Sequence, residues 1–338
     1  MMHSRNFEGC KEVFCMLHIA MIGKWHVHAE GYANEMKKTP FVQVDYVFDE
    51  DAQTAREWAK ALECTAAESY EAILNDPQIG GVVICTATCD HEKYILPACR
   101  AGKAVFTEKV LSITAEGAEE IRRAVVENGV SFGISFPHKC DPKLMRAAEW
   151  VTGGKLGQVT YARVRNVHNG ASANWLPATF YDAAQCGGGA MIDLGAHPMY
   201  TLCMLLGLPA SVQSTFTQVM GKGVEDNAVS LLRYENGAIG VAETGFVSEN
   251  NPYTLEVSGT RGALRIWKDL MVCCPDTDNQ WVTDFDLPDA PESPIVQWAR
   301  CVEEGRPVPA AFGIDQAVEL SRVMDAAYRP AAGQSAAV

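Results

Sequence analysis

The chain has 338 residues, 48% of them apolar and 21% charged, a globular balance that excludes a fibrous or wholly disordered protein. Lys and Arg total 28 against 42 Asp and Glu, for a formal net charge of −14. That excess of acid excludes a broad grip on nucleic-acid phosphates or on an anionic membrane surface. Residues 1–15 carry Arg5, Glu8, Lys11 and Glu12 and no apolar stretch, so they read as a disordered extension rather than a signal peptide, with Met16 as an alternative start. From Leu17 onward short apolar strands alternate with amphipathic helices. Strands are expected at 17–22, 41–48, 81–86, 104–107 and 131–135, and helices at 27–38, 52–62, 70–74, 91–101 and 114–128. Strand and helix alternating in units of about 30 residues predict a doubly wound parallel sheet of Rossmann type over residues 16–140.

After Pro142 the rhythm changes. A helix at 143–152 and a strand at 158–167 precede one continuous helix at 187–206. Strands follow at 211–219, 228–234, 238–246, 254–258 and 263–267, and helices return at 295–304 and 314–327. Asn236-Gly237 between two strands is a hairpin turn signal. The expectation is an α+β domain over 141–330 with a large open, mainly antiparallel sheet, its last helices free to pack back on the first domain, and a tail at 331–338. The 12 cysteines lack the spacing of a disulfide framework and read as buried free thiols of a cytoplasmic protein. No run of 18 apolar residues suggests a membrane span.

Three segments could carry chemistry. The turn Gly23-Lys24-Trp25-His26-Val27-His28 follows the first strand, where a dinucleotide fold places its phosphate loop; only the first glycine of the G-x-G-x-x-G pattern is present. Read alone, it is equally an ordinary strand-to-helix turn. Asp49 closes the second strand, 26 residues after Gly23, where an acid meets ribose hydroxyls. With Glu50 and Asp51 beside it, a 2′-phosphate would be repelled, although the same cluster also reads as a helix N-cap. Glu108 and Lys109 end a parallel strand, at the edge where such sheets bind ligands. Asp193 and His197, four apart in an apolar helix, would share one face, either as a site or as a capped, satisfied core pair. Cys85, Cys89 and His91, like His26 and His28, lack zinc spacing, and no metal is expected.

Thr107-Glu108-Lys109-Val110, Asp49-Glu50-Asp51 and Gly187-Gly188-Gly189 with Asp193 and His197 together resemble the glucose–fructose oxidoreductase, inositol dehydrogenase and MocA family (Gfo/Idh/MocA) across about residues 16–330. The resemblance implies an NAD(P)-dependent oxidoreductase of sugars or polyols, with NAD preferred over NADP on the strength of Asp49. It implies Lys109, Asp193 and His197 as the reaction centre, His197 taking the hydroxyl proton while Lys109 steadies the oxygen and Asp193 orients its neighbours. Gly23, Trp25, His26, Asp49, Thr86, His91, Glu108 and Lys109 would face the cofactor. His138, Lys139, His168, Trp175 and Tyr181 would line the substrate pocket. Val110 stands where the family has proline, so the bond before it is expected to be trans. A homodimer or homotetramer through the second sheet is expected, with neither nucleic acid nor membrane as partner. Two other outcomes are compatible with the same residues: elimination through transient oxidation by tightly held NAD, or a non-catalytic sensor of NAD or sugar.

Overall fold

The structure, a computed structural model, describes residues 16–249 and 253–329; the extension at 1–15 and the tail at 331–338 lie outside the described residues. The first half runs β1 (Leu17–Ile22), α1 (Ala29–Lys38), β2 (Val42–Phe48), α2 (Ala52–Leu62), β3 (Thr65–Ala66), α3 (Tyr70–Asn75), β4 (Gly81–Ile84), α4 (His91–Arg100), β5 (Ala104–Thr107), α5 (Ala115–Asn128) and β6 (Phe132–Ile134). Its six strands are parallel in the order β3-β2-β1-β4-β5-β6. Every residue of β4 and β5 is buried, as required of parallel strands covered by helices on both faces. Local chemistry fixes the helix starts: Asp51 accepts from the backbone N–H groups of Gln53 and Thr54, and Thr114 accepts from that of Gly117. The chain reverses its winding between β1 and β4, which opens a crevice beyond their carboxyl ends.

The second half runs α6 (Pro142–Thr152), β7 (Val159–Val167), α7 (Ala183–Cys186), α8 (Ala190–Asp193), α9 (Ala196–Leu206), β8 (Ser211–Thr217), β9 (Asn227–Arg233), β10 (Ile239–Gly245), β11 (Thr254–Gly259), β12 (Ala263–Ile266), β13 (Leu270–Cys273), β14 (Val282–Thr283), α10 (Pro294–Glu303) and α11 (Ile314–Tyr328). Its sheet has the order β14-β13-β12-β11-β7-β10-β9-β8 and is antiparallel except where β7 and β10 pair in parallel. Exposed and buried residues alternate strictly along β9, so one face of this sheet carries core and the other is open. The C-terminal helices do return to the first half: Trp298 of α10 is fully buried against Phe106 of β5, and α11 packs on α5 and α9.

Two expectations are corrected. The helix predicted as continuous over 187–206 is broken into α8 and α9 around Leu194 and Gly195. Pro198 has no N–H to continue a helix from upstream and is tolerated only in a first turn, so a new helix has to begin just before it. The Lys109–Val110 bond is cis, not trans; Val110 and Leu111, which follow it, are buried in the core. Among the described residues every cysteine is unpaired, but Cys89 is exposed and Cys64, Cys140, Cys203 and Cys273 are half-buried, so burial is not general. Among the described residues no helix is long and apolar enough to cross a membrane.

Candidate active site

A cleft of about 310 Å³ opens at the crevice, bounded by Gly23, Trp25, Asp49, Glu50, Thr86 and Gln185. Gly23 has φ +77°, and a Cβ there would stand 2.6 Å from Cγ2 of Thr86. The turn can therefore approach the end of β4 only as glycine. Asp49 accepts the Lys24 backbone N–H through Oδ2 (2.8 Å) and the Asp51 N–H through Oδ1 (2.9 Å), which aims its carboxylate at the cleft rim. Trp25, at the position of the absent second glycine, stacks on Phe180 (5.2 Å between centroids) and donates its indole N–H to Gln185. The sequence reading passed over Phe180 and Gln185, whose partner lies about 160 residues away.

Deeper in the crevice Lys109 meets Asp193. The ammonium donates to Oδ1 (2.5 Å) and to the carbonyl oxygen of Asp193 (2.9 Å), and both residues line a small void with Trp25, His26 and Phe180. Burial opposes the charge on Asp193, but Lys109 holds its carboxyl below the usual range. His197 is buried nearby; burial, followed by Lys109 and His138, keeps its imidazole neutral by pushing its pKa far down. Its Nδ1 lies 2.9 Å from the Tyr200 hydroxyl. Asp193, the last residue of α8, turns its carboxylate to Lys109, and His197, in the first turn of α9, is engaged by Tyr200.

Glu108 is not at the cleft surface. It is 1% exposed and hydrogen-bonded by Nδ1 of His28 (2.8 Å), by the Tyr32 hydroxyl and by the Lys109 backbone N–H. Burial disfavours its charge, yet His26, His28 and Lys109 hold its pKa well below the carboxylate range. His26, His28 and Glu108 offer ligand atoms within 4.8 Å of one another, a juxtaposition the spacing of His26 and His28 alone does not reveal. Each is already engaged, since Nδ1 of His26 accepts the His28 N–H (3.2 Å). Buried Glu108 and His26 with exposed His28 thus tie the turn by hydrogen bonds to the end of the strand that precedes Lys109.

The other predicted residues are divided by the fold. Thr86 reaches the cleft. His91 lies sealed beneath it, with Nδ1 on the Leu111 carbonyl (3.1 Å) and Nε2 unpartnered. His138 stacks on Tyr253 (4.2 Å) and meets His197 edge-on (4.9 Å). Lys139 points away from the substrate region: its Nζ is bound to Ala311 O and Gln316 Oε1 and lies over the Phe136 ring. The tight turn over Pro137–Cys140 rotates successive side chains by about 120°, so His138 and Lys139 face different ways. His168 stacks on Phe246 (5.0 Å) beside exposed Trp175. Tyr181 lies under the Lys222 ammonium with its buried hydroxyl unpartnered.

The segment bearing Asp193 is held from a distance. Oε1 of Glu225 accepts the N–H groups of Gly189 (2.9 Å) and Met191 (3.0 Å) and the Tyr328 hydroxyl, and that hydroxyl accepts the Ile192 N–H (2.9 Å). A Cβ at Gly189 would overlap the Glu225 carbonyl oxygen. Gly189→Ala is expected to cost about 2–3 kcal/mol of stability by this backbone clash and to lower turnover by displacing α8. Denaturant unfolding and steady-state rates check this, and a wild-type midpoint would exclude the clamp.

Residues 17–136 match the NAD-binding Rossmann-fold model of the Gfo/Idh/MocA oxidoreductase family, and residues 144–265 match the family's C-terminal domain. A trans-1,2-dihydrobenzene-1,2-diol dehydrogenase of Mus musculus is 30% identical over 67% of each chain. The chain belongs to the Gfo/Idh/MocA family. A 1,5-anhydro-D-fructose reductase of Ensifer adhaerens is 28% identical, over 80% of this chain and 83% of its own. Among solved structures, a levoglucosan dehydrogenase in complex with NADH and levoglucosan superposes with TM-score 0.81 at 19% identity, covering 92% of this chain and 95% of its own. GenD2 from gentamicin A biosynthesis in complex with NAD gives 0.78 at 26%, covering 93% of each. The chain is thus an oxidoreductase with an NAD(P)-binding Rossmann domain.

Proposed function

We propose that this Gfo/Idh/MocA oxidoreductase interconverts a secondary alcohol of a sugar or polyol and its carbonyl compound, with NAD preferred to NADP. The observation that carries the reading is the Lys109–Asp193 ion pair, with His197 close by, set just below the cleft bounded by Gly23 and Asp49. Gly23, Trp25 and Thr86 would hold the dinucleotide's phosphates and Asp49 a ribose hydroxyl; the glycine cradle and the acidic rim fit such a group. When bound, the nicotinamide supplies or accepts the hydride. Lys109 supplies positive charge where the reacting oxygen becomes negative, Asp193 fixes the direction of the ammonium, and His197 contacts the same oxygen. His138, His168, Trp175 and Tyr181 form the candidate sugar-facing wall; stacking suits Trp175, whose ring is 54% exposed. The open sheet face, with Val229, Leu231 and Ile239 exposed, suits pairing with a second copy.

Calorimetric titration of the purified protein tests the cofactor assignment. NADH should bind at least 10-fold more tightly than NADPH, by repulsion of a 2′-phosphate from the Asp49–Glu50 rim. Asp49→Ser should weaken NADH and narrow or invert that ratio. A ratio unchanged by the substitution would remove Asp49 from the site, and binding of neither nucleotide would end the reading.

A further inference from the structure

The hydrogen bonds around Tyr200 decide which ring nitrogen of His197 carries the proton. Tyr200 is 2% exposed, and its hydroxyl has two partners among the described residues: the His138 backbone N–H (3.2 Å) and Nδ1 of His197 (2.9 Å). The backbone N–H can only donate, so it occupies an oxygen lone pair. The phenolic proton then has one remaining acceptor, Nδ1 of His197. Were Nδ1 protonated instead, the buried O–H would be left without any acceptor, at a cost of about 1–3 kcal/mol. An imidazole that is neutral and accepts at Nδ1 is protonated at Nε2. No described protein group hydrogen-bonds Nε2, and it is not among the sealed unpartnered atoms, so it is the ring atom left free to meet a ligand.

We propose that Tyr200 is a positioning residue that holds His197 as its Nε2–H tautomer, so that His197 meets the substrate oxygen as a hydrogen-bond donor and not as a base. This rests on the oxidoreductase reading above and replaces the proton-abstracting role expected for His197 from the sequence. Two donors, the Lys109 ammonium and His197 Nε2–H, then converge on one oxygen, an arrangement complementary to a carbonyl. The resting site is set for reduction. With a reduced nicotinamide bound as hydride donor and ending oxidised, the carbonyl carbon would gain the hydride, its π pair would move to oxygen, the oxygen would take a proton from Lys109 Nζ, and the resulting amine would recover a proton from water. His197 keeps its proton throughout.

Long-range ¹H–¹⁵N correlation spectra of the labelled protein read the tautomer directly, with the His197 signals assigned by their loss in His197→Gln. The expected pattern is a protonated Nε2 and a bare Nδ1, giving way to a mixture in Tyr200→Phe. A protonated Nδ1 in the wild-type protein would overturn the proposal. Kinetics give an independent reading. A glutamine amide can donate but cannot take up a proton, so His197→Gln should keep its rate within about 10-fold of wild type while His197→Ala loses about 10²–10³-fold. Equal loss in both variants would return the proton to His197. Tyr200→Phe should lower kcat and leave NADH affinity unchanged, which a general loss of packing would not do. The spectra need no turnover, so failure of the wider functional reading on sugars and polyols would show separately from failure of the tautomer assignment.

Discussion

Lys109→Met is expected to lower turnover by about 10³–10⁴-fold, because it removes both the positive charge and the acidic proton presented to the reacting oxygen. Methionine keeps most of the side-chain volume, so the loss reports chemistry and not a cavity. The same substitution strands the Asp193 carboxylate, whose side chain is 15% exposed, at a cost of about 3–5 kcal/mol. The double variant Lys109→Met, Asp193→Asn should regain much of that stability without regaining activity. Steady-state kinetics and denaturant unfolding of the three proteins separate the two effects. A double variant as unstable as the single one would mean that the ion pair does not organise this part of the fold, and an active Lys109→Met would remove Lys109 from the reaction.

Acid should destabilise the protein through histidines held below their ordinary pKa by burial, His91, His168 and His197 as well as His26 and His138. Burial pushes the pKa of His26 to about 4 and that of His138 to about 4, against 6.5 in an unfolded chain. Between pH 6.5 and 4 the unfolded chain therefore binds more protons than the folded one, so stability falls as pH falls, by about 1.4 kcal/mol per pH unit for each histidine. Each costs about 3 kcal/mol by pH 4. His28 acts in the opposite sense: burial lowers its pKa, but the Glu108 hydrogen bond and charge together raise it above the ordinary value, so its contribution is complete in acid and disappears as pH rises through the folded value. Glu108, held well below the carboxylate range, keeps its contribution until the pH has fallen below this window. Thermal melts at pH 7, 6 and 5 should show the slope, and His26→Gln and His138→Gln should each flatten it by about one proton's worth. An unchanged slope in both variants would locate the acid sensitivity elsewhere.

The division of the chain into a parallel sheet and an open mixed sheet was readable because it rests on local periodicity. The continuous apolar runs of β4 and β5 and the alternation along β9 are properties of adjacent residues. The strands left out, β3, β13 and β14, have two to four residues and no period to detect. The parallel pairing of β7 with β10 could not be read from either strand, because register and direction belong to the pair.

For the site, the sequence by itself determined which residue types stand at the ends of strands and beside the glycines: Gly23 with Asp49, Lys109, and Asp193 with His197. Those positions follow from where strands stop, and strand ends are local events. Only the tertiary structure decided what each residue touches. It set Asp193 against Lys109, 84 residues away, and it sank Glu108 among His26, His28 and Tyr32. It buried the Lys139 ammonium away from the pocket and brought the His138 backbone N–H to the Tyr200 hydroxyl, 62 residues away. Hydrogen-bond partners are chosen by distance in space and by the cost of leaving a buried polar atom unpaired, and neither quantity is written in the order of residues along the chain.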